Sequence, residues 1–402
     1  MTVVQINVTC DKGSTGRICA AVSRLLDGAG VENYILHADD GAAHPRGIAY
    51  TNRGEVKMQV FASRVRGNYG FNSRRATRRL IRHLDSLSPD VVHLHNLHGH
   101  NVHLGLLTSY LRERGIKTFW TFHDCWAFTA YCPHFEAARC DQWKTECRKC
   151  PLRRRYSWFF DRSHRLFHQK REASRGLDLT VVVPSLWMAE QVRQSFLGQY
   201  PIRVIRNGID LQVFRPTPGD FRERYGLQEQ TVILGVAYKW TRGKGFDVFA
   251  TLADALDDSY KVVLVGVTEK QKKRLPPDVI CLPRVTNPKE LAALYTAADV
   301  FVNPTREETL GLTNLEALAC GTPVITFDRG GSPECVDETC GKVVPCDDLP
   351  ALVNAIDRVT RGGGVSPEVC RAYASRFNAE DAFGEYVKLY GIAYESTARE
   401  TI

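Results

Sequence analysis

No stretch of the 402 residues approaches the roughly 18 apolar positions of a membrane-spanning helix. The opening MTVVQINV lacks the basic segment and the long apolar run of a secretory leader. Both absences point to a cytoplasmic protein. Two familiar phosphate-binding signatures are also missing. The turn TCDKGSTGR spaces Gly13 and Gly16 as G-x-x-G, short of the G-x-G-x-x-G of dinucleotide enzymes, and the acidic pair Asp39–Asp40 downstream does not complete that fingerprint. In KWTRGKGFD the G-K is followed by Gly245, where a Walker loop needs Ser or Thr. Disorder is excluded as well, since 44% hydrophobic and 24% charged residues suffice for large cores in two domains. Cysteine is not scarce, but eight of the thirteen are scattered singly and the other five fall between 125 and 150. That distribution fits local chemistry in a reducing compartment better than a secreted disulfide framework.

What is present is alternation. Short β-rich runs at 3–8, 33–38, 90–95, 117–122 and 179–184 are separated by helical lengths, and a second series follows at 231–238, 260–267, 299–304 and 323–327. Strands alternating with helices predict parallel sheets covered on both faces, and nine such strands predict two sheets. The joint is read at RVIRNGIDLQVFRPTPGD, where Asn-Gly and two prolines interrupt the pattern near residue 206. A net charge of +8 calls for an acidic partner: nucleotide phosphates, an anionic membrane or nucleic acid.

Ligands of open α/β sheets gather at the carboxyl ends of strands, so the candidate chemistry is sought there. The glycine-rich turn after the first strand leads into a helix whose free N–H groups suit an anion. The fourth run of the first series is followed by His123 and Asp124. The first strand of the second series is followed by Lys239, Arg242 and Lys244 in a glycine-containing loop, a composition that suits phosphate. In TREETLGLTNLEALACGTPVI, Glu308 and Glu316 stand eight positions apart. The helix read over 311–320 opens on Gly311, Leu312 and Thr313, whose backbone donors suit a phosphate. Leu312, Leu315 and Leu318 give it a core-facing side, which leaves Glu316 as a buried carboxylate in need of a partner. A ribose diol would supply that partner through charge-assisted hydrogen bonds.

EETLGLTNLEALACGTPVI resembles the E-x7-E element of retaining GT-B glycosyltransferases of family GT4, the bacterial surface-polysaccharide type, and RNGID, KWTRGKG and RGGSPE match in order and spacing. The resemblance implies an α/β GT-B fold, two Rossmann-like parallel-sheet domains facing across a cleft. Its parts would be an acceptor-side domain over 1–205 with a cysteine-rich insertion at 125–151, a nucleotide-sugar domain over 206–375, and a C-terminal helical segment, 376–402, packing back toward the first domain. It implies that Lys244 and Lys239 bind the donor diphosphate, with Lys239 standing where Arg is usual. Glu316 would bind ribose, Glu308 the donor sugar, and His123 would lie against that sugar, with Gly13 and Gly16 shaping the loop where donor and acceptor meet. The implied reaction moves a sugar from a UDP- or GDP-sugar to a hydroxyl of a glycan or lipid-linked acceptor with retention. It needs no catalytic metal, in keeping with the lack of an Asp-x-Asp triplet. The competing readings are an NAD-dependent oxidoreductase, disfavoured by the missing fingerprint, and a nucleic-acid-binding protein. The transferase reading includes no nucleic-acid partner.

Three features remain. Cys132, Cys140, Cys147 and Cys150, ending in C-x-x-C, suit a tetrahedral structural zinc site in a polar segment poor in aliphatic residues; two disulfides or free thiols are the alternatives. HLHNLHGHNVH places five histidines together, and its H-x-H-N resembles the strand end common near the acceptor side in that family, which implies such an end rather than a metal site. The basic runs at 73–83 and 148–160, the second ending in Trp158, Phe159 and Phe160, suggest peripheral contact with an anionic membrane on the cytoplasmic side.

Overall fold

The computed structural model describes residues 1–38, 41, 44–361 and 364–394. Asp39, Asp40 and the last eight positions of the 376–402 segment lie outside the described residues. The chain divides into two compact units, Met1–Arg206 with Glu380–Ile402, and Asn207–Ala379.

The first unit is built on seven parallel strands: β1 Thr2–Asn7, β2 Glu32–Ala38, β3 Gly47–Thr51, β4 Val91–Leu94, β5 Lys117–Thr121, β6 Leu179–Val183 and β7 Ile202–Val204, in the order 3-2-1-4-5-6-7. The second has six: β8 Thr231–Val236, β9 Tyr260–Val265, β10 Ile280–Leu282, β11 Val300–Asn303, β12 Val324–Phe327 and β13 Gly341–Val344, in the order 10-9-8-11-12-13. All pairings are parallel, so both faces of each sheet must be covered and the central strands carry near-continuous apolar runs such as VVHL, LTVVV and VITF. The helices that cover them have a matching apolar stripe. Helix Leu349–Arg361, for example, buries Leu352, Ala355, Ile356 and Val359, the i, i+3, i+4, i+7 spacing of one face. Each such aliphatic side chain contributes roughly 1.5–3 kcal/mol on full burial.

Both orders reverse direction once. The chain runs outward from β1 to β3 and returns on the other side at β4, and it does the same between β8 and β11. Loops leaving the two strands on either side of a reversal diverge and leave a crevice at their carboxyl ends. Most candidate residues follow those strands, and His123 follows β5, the neighbour of β4.

One feature differs from the sequence reading. The 125–151 insertion is not short of apolar packing: Trp126, Phe128, Tyr131, Phe135 and Trp143 are buried in the core of the first unit, with Phe128 and Phe135 ring centroids 5.1 and 4.7 Å from that of Trp143. Aromatics supply what aliphatics do not. The C-terminal helix Ala379–Leu389 brings Tyr386 and Tyr390 onto the first unit, where the Tyr390 hydroxyl meets His93 Nδ1 and the Tyr386 hydroxyl accepts from Thr121 Oγ1 at 3.3 Å.

Candidate active site

In the first unit, loops after β1, β4 and β5 carry the polar groups. Asn7, the last residue of β1, donates to Thr9 O (2.9 Å) and Thr15 Oγ1 (3.3 Å) and accepts from Asn96 N (3.1 Å), tying the glycine-rich turn to the loop after β4. Gly13 takes φ +68° where the helix Gly13–Gly28 starts, and a Cβ on Gly16 would sit 2.7 Å from Thr9 Oγ1 and 3.2 Å from Asp11 N. The turn closes this tightly only with glycine at both positions.

His123 follows β5 and is half-buried. Its protonation state follows from a chain of hydrogen bonds. Gln5 Nε2 donates to Cys19 O at 3.0 Å, which leaves Gln5 Oε1 to accept from His95 Nε2 at 3.2 Å. His95 Nδ1 is then an acceptor and takes the Nε2 proton of His123 at 3.0 Å, so His123 Nδ1 remains an unprotonated acceptor. Burial lowers His123 to about 4, with the Asp124 carboxylate opposing and His98 adding to the fall; His95 lies well below the usual histidine range for the same main reason. Neutral imidazoles are therefore the working forms at pH 7.

The opposite holds one residue on. His98 Nε2 lies 2.7 Å from Asp124 Oδ2; burial pulls the imidazole down, but the carboxylate outweighs it and holds His98 above the ordinary range. Burial likewise opposes ionisation of Asp124, and His98 overrides it to bring the carboxyl to about 2. Asp124 Oδ1 accepts from Trp126 N at 2.9 Å. Lys170, 1% exposed, donates to the carbonyls of Trp126 (2.5 Å) and Thr129 (2.9 Å), with its Nζ 3.5 Å from the centre of the Trp126 ring. These bonds fasten the turn behind His123 and Asp124, and burial holds the Lys170 amine well below the usual lysine range. The other histidines do different work: His100 stacks on Tyr69, and His103 caps the helix Leu104–Glu113 by accepting from Leu106 N at 3.2 Å.

In the second unit, the loop after β8 meets the loop after β11. Lys244 Nζ lies 2.8 Å from Glu308 Oε2 and donates to Glu307 O at 3.1 Å. Arg306 binds the two loops together, with its backbone N–H on Gly243 O (2.7 Å) and its guanidinium on Asp247 (2.8 Å) and Asp347 (2.6 Å). The RGG turn seats Glu308 from behind: Gly331 N donates to Glu308 O at 2.9 Å, and a Cβ on Gly330 would stand 1.9 Å from that same oxygen. Gly311, at φ +95°, caps the helix Leu312–Ala319, whose first-turn N–H groups, those of Leu312 and Thr313, have no carbonyl one turn back within the helix. Lys239 is exposed in the loop after β8.

Glu316 departs from the reading of a buried carboxylate without a protein partner. It is half-buried, and its Oε2 accepts from the Tyr295 hydroxyl at 3.0 Å, a donor 21 residues away that no local pattern pairs with it. Burial first, then the Glu316 charge, raise Tyr295, which keeps that donor protonated.

The cysteine quartet lies together in the first unit, where Cys132 feels the charge of Cys150, Cys147 and Cys140. Among the described residues, no three of the sulfurs of Cys132, Cys140, Cys147 and Cys150 come within 4.8 Å of one another. Cys132 and Cys147 are buried in the aromatic core, and burial first, with the neighbouring cysteines adding to it, pushes each up to about 12.

Gln5, His98, Lys170, Tyr295 and Arg306 were not singled out by sequence as site residues. Gln5 had a signal, one of two amides inside the buried strand VVQINV; Lys170, in an ordinary polar helix, had none. Among the described residues no helix is long and apolar enough to cross a membrane.

Known proteins match this arrangement. The profile described as "Glycosyltransferase Family 4" matches residues 15–213, and that described as "Glycosyl transferases group 1" matches residues 230–361. The putative colanic acid biosynthesis glycosyl transferase WcaC of Escherichia coli K12 is 23% identical over 97% of this chain and 99% of its own. Among solved structures, sucrose-phosphate synthase from Thermosynechococcus elongatus superposes with a TM-score of 0.72 at 19% identity, over 97% of this chain and 98% of that one. Anabaena HepE, solved in complex with UDP-glucose, gives 0.68 at 14% identity, over 97% and 99%. With two parallel sheets of the same strand order and the E-x7-E loop seated against Lys244, the chain belongs to the family 4, group 1 glycosyltransferases and has their GT-B type of fold.

Proposed function

We propose that this enzyme transfers a sugar from a nucleotide diphosphate sugar, a UDP- or GDP-sugar, to a hydroxyl of a glycan or lipid-linked acceptor in polysaccharide biosynthesis, with retention of anomeric configuration. The observation that carries the reading is the contact of Lys244 with Glu308 in the crevice between β8 and β11, beside the helix N-terminus at Gly311. A diphosphate there would draw the Lys244 ammonium from the carboxylate and accept from the N–H groups of Leu312 and Thr313. Lys239, on the same loop, would add a second cation without the bidentate fork of an arginine. Glu316, held by Tyr295, would take the ribose diol, and Glu308 the donor sugar. As the bond from the anomeric carbon to the phosphate oxygen breaks, its electron pair leaves with the diphosphate. The acceptor oxygen bonds to that carbon on the same face, and its proton passes to the departing phosphate oxygen. The lysines and the helix N-terminus stabilise the charge that develops, and the reading requires no catalytic metal. Neutral His123, with Nδ1 as an acceptor, suits a hydroxyl of the sugar. Gly13 and Gly16 would shape the loop where donor and acceptor meet.

The enzyme would work on the cytoplasmic side, in peripheral contact with an anionic membrane. Met58, Phe61, Trp158, Phe159 and Phe160 are exposed on the first unit, and Arg64 lies over the Trp158 ring. The assignment of WcaC to colanic acid biosynthesis and the UDP-glucose in HepE agree with a surface-polysaccharide enzyme and a UDP-sugar donor. Incubation with a panel of UDP- and GDP-sugars and lipid-linked acceptors, with the product anomer assigned by NMR, tests the reading. Retention with one donor is expected. An inverted product, or no stabilisation by any nucleotide diphosphate, would overturn it.

A further inference from the structure

Outside these loops, the first unit gathers a second group of ligand-type side chains. Glu146 lies in the insertion, and His164 and His168 are four residues apart on the helix Ser163–Ser174, a spacing that sets both rings on one face. Both Nε2 atoms address a single oxygen, Glu146 Oε1, at 2.8 Å from His164 and 2.5 Å from His168. Among the described residues this is the group of three or more His, Cys, Asp or Glu side chains whose ligand atoms all fall within 4.8 Å of one another. We infer that Glu146, His164 and His168 form a binding site for a divalent transition-metal ion, zinc being the expected occupant.

The donor set argues for that class. Two imidazole nitrogens and one carboxylate oxygen suit zinc, nickel or copper, whereas calcium and magnesium call for oxygen alone. Ligands at about 2.0–2.2 Å from a tetrahedral ion sit a little over 3 Å from each other. The present contacts need open by less than an ångström, which is easy because the rings are exposed, at 64% and 45% of their side-chain surface. The other oxygen of Glu146 is paired with Arg148, the kind of outer contact that orients a ligating carboxylate. Asp161 already joins the two segments, accepting from Cys150 N at 2.8 Å and from Ser163 N at 2.9 Å. An ion at this site would clamp the end of the insertion to the helix that carries Lys170, and so would brace the turn behind His123. A fourth position is left for water.

The test uses the full chain, stripped with chelator and titrated with zinc by calorimetry, alongside H164A/H168A. One equivalent bound by the parent and lost in the double variant is expected, with the two proteins melting alike in EDTA and zinc raising the melting temperature of the parent only. Cobalt in place of zinc reports the ligand type, and a nitrogen and oxygen site lacks a sulfur-to-cobalt charge-transfer band. A full equivalent retained by H164A/H168A, no binding by the parent, or an intense sulfur-to-cobalt band would each overturn the assignment.

Discussion

The residue with the clearest expected effect is Lys244. On the proposed reading its ammonium stabilises the charge that develops on the leaving diphosphate, and removing one preorganised partner of that kind costs about two to three orders of magnitude in kcat. Lys244→Ala should show that loss with a nucleotide-sugar donor while its melting curve stays close to the parent's, since the side chain is 36% exposed. Near-native turnover would remove the phosphate role. The histidines make a prediction about pH. An unfolded histidine takes a proton near pH 6.5, whereas burial holds His93 at about 3 and His123 at about 4. Between those values the unfolded state binds more protons, so this part of the stability is full above about 6.5 and is lost as the pH falls toward 4. His98 runs the other way: raised by Asp124, it contributes below about 6.5 and loses that contribution as the pH rises through its folded value. With the depressed histidines in the majority, the melting temperature should drop from pH 7 to pH 5, and His93→Gln should flatten the drop. An unchanged slope in His93→Gln would assign the pH dependence to other groups. The sequence exposed the members of these networks unevenly. Glu308, Glu316 and Lys244 stand in motifs a few residues long, but Tyr295 reaches Glu316 across 21 residues and His98 reaches Asp124 across 26, distances set only by folding.

At the scale of elements, the parallel sheets were legible and their rims were not. The strands absent from the sequence reading, β3, β7, β10 and β13, are the four edges of the two sheets. An edge strand is covered on fewer sides, so GIAYT, IRV, ICL and GKVV lack the long apolar run that marked the central strands. The RGG turn was legible as a match in order but not as a mechanism, because its glycine is demanded by the backbone of a residue more than twenty positions earlier. Gly330 combines φ +60° with a Cβ position 1.9 Å from Glu308 O, whereas Gly226 has φ +66° and open space around it. Gly330→Ala should therefore destabilise by more than the roughly 1 kcal/mol expected of a strained backbone alone, and it should impair turnover by shifting Glu308. Gly226→Ala, which bears the backbone strain without the collision, should lose stability but keep its rate. Equal kcat losses in the two would separate the RGG turn from the site.

For the whole molecule, the net charge of +8 limited the partner to something acidic without choosing one. Family membership supplies the reaction class, and the exposed surface narrows the second partner. Arginines by themselves suit any anion, and the exposed face of the helix Arg74–Leu87, with Arg74, Arg75, Arg78 and Arg82, is of that kind. Beside the run at 148–160 the surface changes character: Trp158, Phe159 and Phe160 are 46%, 63% and 52% exposed, next to Phe61 at 61% and Met58 at 58%. Apolar rings rimmed by cations suit the boundary of an anionic bilayer, where the rings enter the headgroup layer and each arginine near the surface contributes about 1 kcal/mol. Arg153 is a poor probe of this, because its guanidinium donates to Phe159 O at 2.9 Å and holds the segment in shape. Arg154 and Arg155 are exposed, so Arg154→Ser/Arg155→Ser removes charge and leaves that bond in place. Co-sedimentation with vesicles containing anionic lipid should fall by up to about 2 kcal/mol in apparent affinity for this variant, on that per-residue scale. Phe159→Ser should weaken binding by a term that persists at high salt, where the arginine contribution is screened. Equal binding of the parent to anionic and neutral vesicles, or no effect of either substitution, would move the membrane contact away from this surface.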